Sequence, residues 1–104
     1  APDYVDALHR MTRQPTGGDF VIGTGEAHSV RDFVRMAFAA AGIDDWRAHV
    51  EIDPAFVRAA DPAMQLADAS KAARELGWRP TCTFDELVTR LVHADLAALD
   101  AEQA

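Results

Sequence analysis

The chain has only one cysteine, Cys82, so it cannot form an internal disulfide. We therefore expect it to work in a reducing compartment, the cytoplasm, because disulfides persist mainly in oxidising compartments. No stretch resembles a signal peptide or a membrane-spanning segment. The first residue is Ala1 rather than Met and leads directly into a helical pattern, so we interpret the chain as a piece of a longer protein.

Positive charge is scarce in this sequence. The 10 Lys and Arg side chains are outnumbered by 17 Asp and Glu side chains, which gives a formal net charge of -7. An acidic surface repels nucleic acid and anionic lipid, so we expect neither of them as a partner. Phosphate binding stays compatible with this charge, because one well-placed arginine overrides the average field of the surface.

Metal ligands at a suitable spacing are also lacking. His9, His28, His49 and His93 are far apart, and no second ligand stands beside any of them at the spacing of a metal site. Cys82 precedes a predicted helix, which favours a thiolate, but no histidine is paired with it by sequence. We interpret Cys82 as a packing residue and expect neither a metal ion nor a catalytic residue in this chain.

The length of 104 residues and the hydrophobic share of 49% bound the domain organisation. They suit one globular domain with a modest core, and we predict a single domain over residues 1–104. The same length is short for an enzyme that contains its own cofactor-binding fold.

The stretch from Asp19 to Phe38 organises the predicted fold. Its short apolar run at residues 20–22 is bounded by turn residues, a pattern typical of a strand that is buried on both faces. Ser29, followed by Asp32, marks the start of a helix with a weak capping box, and apolar residues then recur at helical spacing. The stretch is therefore predicted to be strand, loop and helix, which is half of a βαβ crossover.

The loop in this stretch carries two glycines ahead of a helix, a place where anions often bind. Gly23 and Gly25 do not complete a dinucleotide-binding fingerprint, because His28 stands where the third glycine would be. We favour a simple connection over an anion site here and predict no cofactor-binding residue in this chain.

A second short strand is predicted at residues 49–52, where polar and apolar residues alternate until Asp53 and Pro54. Two strands separated by a helix are most easily joined in parallel by a right-handed crossover. We therefore predict an α/β fold with a small two-stranded parallel sheet and about four helices.

The other three helices have clear start or stop signals. Pro2 suits the opening turn of the first, and Gly77 ends a short helix that Asp68 can cap. Thr83 and Glu86 form a capping box for the last helix. We predict that one face of this last helix is apolar, made by Phe84, Leu87, Val88, Leu91, Val92, Leu96 and Leu99.

Arg58 is the candidate binding residue of the chain. It lies in an aperiodic segment just after the second predicted strand, and its fork-shaped guanidinium is suited to a phosphate or diphosphate. Asp61, three residues later, can accept hydrogen bonds from a sugar hydroxyl or a base edge. A surface ion pair between the two residues is an equally good interpretation of the spacing.

Taken together, the motifs of the chain resemble the C-terminal part of the GDP-mannose 4,6-dehydratases, members of the extended short-chain dehydrogenase/reductase superfamily. The resemblance runs from Asp3 to about Leu96. It is carried, in order, by DYVDALHRM, GTGEAHSVRDFVRMAF, EIDPAFVR, DASKAARELGWRPT and TFDELVTRLVHADL. The combination of TGE, HSVRDF and FDELV is fairly specific, whereas GWRP followed by a capped helix is shared across the superfamily.

The resemblance implies a function for the longer protein. Its enzyme would use NADP to convert GDP-mannose to GDP-4-keto-6-deoxymannose and water, as a homo-oligomer. The NADP-binding Rossmann domain, with the active-site Tyr, Lys, Thr and Glu, would lie upstream of Ala1 and be absent from this chain. This chain would be the substrate-binding lobe, inactive alone, with the Rossmann domain and GDP-mannose as its partners.

By the same resemblance, Arg58 matches the Arg of the family's Arg-Pro-Ala-Glu stretch, which resembles motifs that hold the diphosphate and nucleotide. Asp61 takes the position of its Glu. The chain departs from the pattern at Ala59, in the shorter acid, and at Pro62-Ala63 in place of Val-Asp. These departures affect base recognition more than phosphate binding.

Two alternatives remain open from the sequence. The chain can belong to a GDP-4-keto-6-deoxymannose reductase or another nucleotide-sugar epimerase or dehydratase, because Arg-x-x-Asp also occurs in those relatives. It can also be a free-standing interaction domain, in which case the apolar faces of its helices would need a partner to cover them.

Overall fold

The computed structural model describes residues 1–103, which form an all-helical chain. Its α-helices are α1 (Pro2–Thr12), α2 (Val30–Ala40), α3 (Ser70–Leu76) and α4 (Phe84–Gln103), with short 3-10 helices at Trp46–His49 and Pro54–Phe56. The chain divides into two compact units. The first unit comprises residues 1–27 and 63–82, and the second comprises residues 28–62 and the chain from Thr83 onward. The single domain predicted over residues 1–104 stays a prediction.

The helices begin and end where their capping residues lie. The Ser29 hydroxyl accepts a hydrogen bond from the amide of Asp32 at 3.0 Å, so the predicted start of α2 is confirmed. Gly77 ends α3 with a φ of 63°, a left-handed conformation that glycine adopts without strain.

The capping box predicted for α4 is also present. The amide of Thr83 donates to a Glu86 carboxylate oxygen at 3.3 Å, and the amide of Glu86 donates to the Thr83 hydroxyl at 3.2 Å. These two bonds satisfy amides that the first turn of a helix otherwise leaves unpaired, so they fix the start of α4.

The predicted two-stranded parallel sheet is wrong, because residues 1–103 contain no strand. Phe20 and Ile22, assigned to the first strand, instead pack against the helical core of the first unit. His49, assigned to the second, ends a 3-10 helix, and Val50 after it is extended (φ -126°, ψ 131°). Alternation and short apolar runs report local burial and extension, whereas a strand also requires a ladder partner, which these residues lack in the described chain.

Trp78 is the largest side chain in the core of the first unit. It is 2% exposed and packs with Ala7 of α1 and with Ala72 and Leu76 of α3. Its indole N–H donates to the backbone carbonyl of Asp3 at 2.8 Å, so this buried donor is satisfied. Trp78 therefore joins α1 to the segment that follows α3.

In the second unit, α2 packs against α4. Val88 of α4 is 1% exposed, and the Phe84 ring lies parallel to His28 at 3.9 Å and edge-on to Phe33 at 5.9 Å between ring centroids. The apolar face predicted for α4 is thus buried near Val88 but stays 38–51% exposed at Leu87, Leu91, Leu96 and Leu99.

Candidate functional site

The segment that carries Arg58 and Asp61 is exposed along its whole length. Every residue from 50 to 62 is exposed, and the 3-10 helix Pro54–Phe56 is its one regular element. The amides of residues 58–61 donate no hydrogen bond to the described part of the chain. Backbone that is exposed and unpaired in this way is free to bond a ligand.

A short turn fixes the start of this segment. The Asp53 carboxylate accepts a hydrogen bond from the amide of Ala55 at 2.9 Å, and the Asp53 carbonyl accepts one from the amide of Phe56 at 3.1 Å. The amide of Val57 then donates to the Pro54 carbonyl at 3.2 Å. Because Pro54 also restricts its own φ, the chain leaves this turn in a defined direction.

Arg58 and Asp61 lie next to each other in the structure and form an ion pair. The guanidinium contacts both carboxylate oxygens, Nη2 to Oδ1 at 2.9 Å and Nε to Oδ2 at 3.1 Å, and the two side chains are 78% and 50% exposed. The surface ion pair that the sequence left as an alternative is therefore present. Whether the two residues also bind substrate stays a prediction.

This ion pair is compatible with ligand binding. A guanidinium has five N–H donors in a fixed fork, and the contacts to Asp61 engage Nε and Nη2, which leaves Nη1 and one N–H of Nη2 for another acceptor. An exposed ion pair of this kind contributes only about 0–1 kcal/mol to stability, so a phosphate can take the place of the Asp61 carboxylate at little cost. Asp61 thus holds the guanidinium of Arg58 in an accessible position.

Phe56 is the feature of this segment that the sequence analysis missed. Its ring is 82% exposed, although it stands two residues before Arg58 in a turn that fixes its backbone. No signal in the sequence marks this exposure, because an aperiodic segment does not show which of its apolar side chains are buried. Exposed aromatic side chains beside a charged group are typical of binding surfaces.

The glycine loop of the first unit is filled by protein. A Cβ at Gly23 would lie 2.5 Å from the Cβ of Ala67, and one at Gly25 would lie 3.5 Å from the Ala67 carbonyl. In a dinucleotide-binding loop the missing side chains leave room for a pyrophosphate, whereas here Ala67 takes the space beside Gly23. Gly23 therefore serves close packing against Ala67.

Asp3 makes a long-range anchor that the sequence did not reveal. Its carboxylate accepts hydrogen bonds from the Thr81 amide at 2.8 Å, the Thr81 hydroxyl at 2.7 Å and the Cys82 amide at 2.9 Å. The Cys82 amide above all, and then the Thr81 hydroxyl and amide, lower the pKa of Asp3 below its ordinary value of 3.8. The anchor is structural, because every partner lies within the chain.

No group of three or more His, Cys, Asp or Glu side chains is placed to hold a metal ion among residues 1–103. Over the same residues, no helix has both the length and the apolar character that crossing a membrane requires.

Comparison with known proteins identifies the family. The model of the GDP-mannose 4,6 dehydratase family matches residues 1–91. The chain is similar to GDP-mannose 4,6 dehydratase 1 of Arabidopsis thaliana, with 38% identity over 99% of this chain and 28% of the relative. It is also similar to the GDP-mannose 4,6 dehydratases of Drosophila melanogaster, with 38% identity, and Homo sapiens, with 36%, each over 92% of this chain.

Each of these relatives is much longer than the chain, which covers 28% of the Drosophila protein and 30% of the human one. The resemblance stated from the sequence motifs is therefore confirmed, because these three relatives are GDP-mannose 4,6 dehydratases. The match extends over α1, α2 and α3 and into α4, and it includes the Arg58 to Asp61 segment. The chain belongs to the GDP-mannose 4,6 dehydratase family.

Proposed function

We propose that this chain binds the nucleotide part of GDP-mannose within a longer GDP-mannose 4,6-dehydratase, a lyase. The observation that carries the proposal is the family match over residues 1–91, which includes an exposed arginine in the segment predicted to hold a diphosphate. The chain alone is expected to be inactive, because we predict no catalytic residue in it.

The reaction of the longer enzyme converts GDP-mannose to GDP-4-keto-6-deoxymannose and water. C4 of the sugar is oxidised, water leaves across C5 and C6, and the hydride returns to C6, so the nucleotide cofactor ends as it began. NADP supplies this redox chemistry. We propose that a separate Rossmann domain holds it, because the glycine loop of this chain packs against Ala67 at Gly23. Arg58 and Asp61 take no part in the hydride steps.

Arg58 is the residue to which we assign the diphosphate. Its remaining N–H donors can bond two phosphate oxygens at once, an arrangement that favours Arg over Lys. Asp61 has two roles in this proposal: it orients the guanidinium in the free protein, and it accepts a hydrogen bond from a sugar hydroxyl or base edge in the complex. The negative overall charge of the chain makes this local positive charge the deciding factor for an anionic ligand.

The test is calorimetric titration of the full-length protein that contains this chain. GDP should bind more tightly than UDP, and Arg58→Ala should weaken GDP binding by about 1.5–3 kcal/mol, the usual contribution of a hydrogen bond to a charged group. Arg35→Ala is a matched control, since Arg35 is also exposed and also pairs with an aspartate three residues away, at 3.6 Å from Asp32. Arg35→Ala should leave GDP affinity unchanged.

Three outcomes would contradict the proposal. Equal or tighter binding of UDP would contradict the assignment of the nucleotide, and equal losses in both arginine variants would make Arg58 an ordinary surface charge. Absence of GDP binding in the full-length protein would contradict nucleotide binding by this chain altogether.

Activity gives an independent check. The full-length protein with NADP should convert GDP-mannose to a 4-keto product, while the 104-residue chain with the same additions should form none. Product formation by the chain alone would overturn the assignment of the chemistry to a separate domain.

Two further proposals concern the compartment and the oligomeric state of the longer enzyme. We propose a cytoplasmic protein, supported by the presence of a single cysteine. We also propose a homo-oligomer at full length, which light scattering of the purified full-length protein would test.

A further inference from the structure

Phe56 has no structural reason to be where it is. The side chain is 82% exposed, more than any other large hydrophobic residue among the described ones. Phe56 is absent from the ring contacts described in the second unit, which involve His28, Phe33, Phe38, His49 and Phe84. Ile52 and Val57 of the same segment are also exposed, at 77% and 69%, so Phe56 is the aromatic member of an exposed apolar segment. Contiguous exposed apolar surface of this kind marks binding sites.

The backbone around Phe56 is fixed before any ligand arrives. Its amide donates to the Asp53 carbonyl at 3.1 Å, and the Asp53 carboxylate caps the same turn through Ala55 at 2.9 Å. Because the turn is closed by these bonds, little backbone entropy would be lost when a flat ligand packs on the ring.

Phe56 and Arg58 are separated by one extended residue. Val57 has a φ of -74° and a ψ of 119°. Across an extended residue the chain rises about 3.3 Å per position, so the backbones of the two neighbours of Val57 stand roughly 6–7 Å apart. An aromatic surface and a guanidinium are thus adjacent on one exposed segment.

We propose that the ring of Phe56 stacks on the nucleobase of a nucleoside diphosphate whose phosphates are held by Arg58. The inference rests on the proposed function and extends it, because it assigns the base to a residue outside the stretch from Arg58 to Asp61. A nucleoside diphosphate has a flat aromatic group and a diphosphate at opposite ends of one ribose. The segment offers a complementary group for each of them.

Stacking on Phe56 does not discriminate between bases. Every base has an aromatic face, so stacking adds affinity without reading the hydrogen-bonding edge of the base. Phe56 should therefore strengthen GDP and UDP binding alike, and the choice between them falls to polar groups such as the Asp61 carboxylate.

The test compares GDP with inorganic pyrophosphate as ligands of the full-length protein. Phe56→Ala should weaken GDP binding about 5- to 150-fold, the range for loss of one base stack. Pyrophosphate has no base, so its affinity should change less than about twofold by the same reasoning. Phe56→Trp should restore GDP binding, because indole also stacks.

Ile52→Ala is the matched control. Ile52 is 77% exposed, belongs to the same segment and loses a side chain of similar apolar character, but it has no ring. It should leave both affinities unchanged. Circular dichroism of each variant checks that the helices are retained.

The outcomes separate this inference from the proposed function. If Phe56→Ala binds GDP as the parent does while Arg58→Ala does not, stacking is overturned and the diphosphate assignment stands. If Phe56→Ala weakens pyrophosphate and GDP equally, or if Ile52→Ala behaves like it, the effect is a general disturbance of the segment and stacking is again overturned. If the parent does not bind GDP at all, the proposed function fails first.

Discussion

Two regions of the chain are held in different ways. The first unit depends on bonds between residues far apart in sequence: Asp3 binds Thr81 and Cys82, and Trp78 donates to the Asp3 carbonyl. Residues 50–62 of the second unit depend on neighbours alone, with Asp53 closing its own turn and Arg58 pairing three residues ahead. The first arrangement ties segments together, and the second leaves a surface open.

This difference separates residues of the fold from residues of the site. Substitutions in the anchored region of the first unit should lower stability. They either remove several hydrogen bonds at once or leave a cavity in the core. Substitutions at Phe56 or Arg58 should lower ligand affinity with little change in stability, because those side chains are already in solvent.

Trp78→Ala should have the largest effect, lowering the free energy of unfolding by about 3–5 kcal/mol. The change removes a side chain that is 2% exposed and leaves a cavity among Ala7, Ala72 and Leu76. Urea denaturation followed by circular dichroism measures it. A loss no larger than that of Trp46→Ala, at a tryptophan that is only half-buried, would contradict the core assignment.

Asp3→Ala should lower the free energy of unfolding by about 1–3 kcal/mol, because it removes the acceptor of three hydrogen bonds at once. Asp6→Ala is the control, since Asp6 makes an exposed ion pair with Arg10 at 3.1 Å. Thermal or urea unfolding of both variants gives the comparison. Equal losses would show that the Asp3 anchor has no special weight.

The pH dependence of stability should reveal the same anchor. The Cys82 amide and the Thr81 groups lower the pKa of Asp3 in the folded chain below its ordinary value of 3.8. A lowered folded pKa adds stability above the ordinary value, and that stability is lost as the pH falls through the folded pKa. Unfolding measured between neutral pH and acid should therefore show a smaller acid loss in Asp3→Asn than in the parent, and identical profiles would refute this.

Ser29→Ala should cost about 1 kcal/mol, the usual effect of losing an N-cap. The Ser29 hydroxyl accepts from the Asp32 amide at 3.0 Å, and α2 has no fully buried residue to compensate for the loss. Ser29→Asn keeps an acceptor at the same place and should retain most of the stability in the same denaturation experiment. If both variants lose equally, the cap is not the cause.

Arg58→Ala should have the smallest effect on stability, less than about 1 kcal/mol, because its pair with Asp61 is exposed. This is the reverse of its expected effect on GDP affinity. The denaturation midpoint and the calorimetric titration, measured on one preparation, give both values. A large loss of stability would mean that Arg58 stabilises the fold and is not only a binding residue.

The sequence predicted the features that depend on local chemistry. The caps at Ser29 and Thr83 and the stop at Gly77 follow from side chains within a few residues, and all three are present. The sheet was wrong because residues 20–22 were assigned a ladder from their apolar character alone. They use that character to pack against a helical core instead.

Features that join distant residues could not be predicted from spacing. The Asp3 anchor links Asp3 to Thr81 and Cys82, which lie 78 and 79 residues later in the sequence. An acidic residue in the first turn of a helix is already favourable there and gives no sign of such a distant partner. In the candidate site, the proximity of Arg58 and Asp61 followed from three-residue spacing, whereas the exposure of Phe56 required the structure.

Residues 50–62 are proposed to hold a ligand, while the anchors of the first unit hold the fold. Titration of GDP into isotope-labelled full-length protein, followed by backbone amide NMR shifts, distinguishes these two regions. The largest shifts should fall between Asp53 and Asp61, with little change at Trp78, Thr81 and Cys82. Shifts concentrated at those three residues, with none near Arg58, would contradict this assignment.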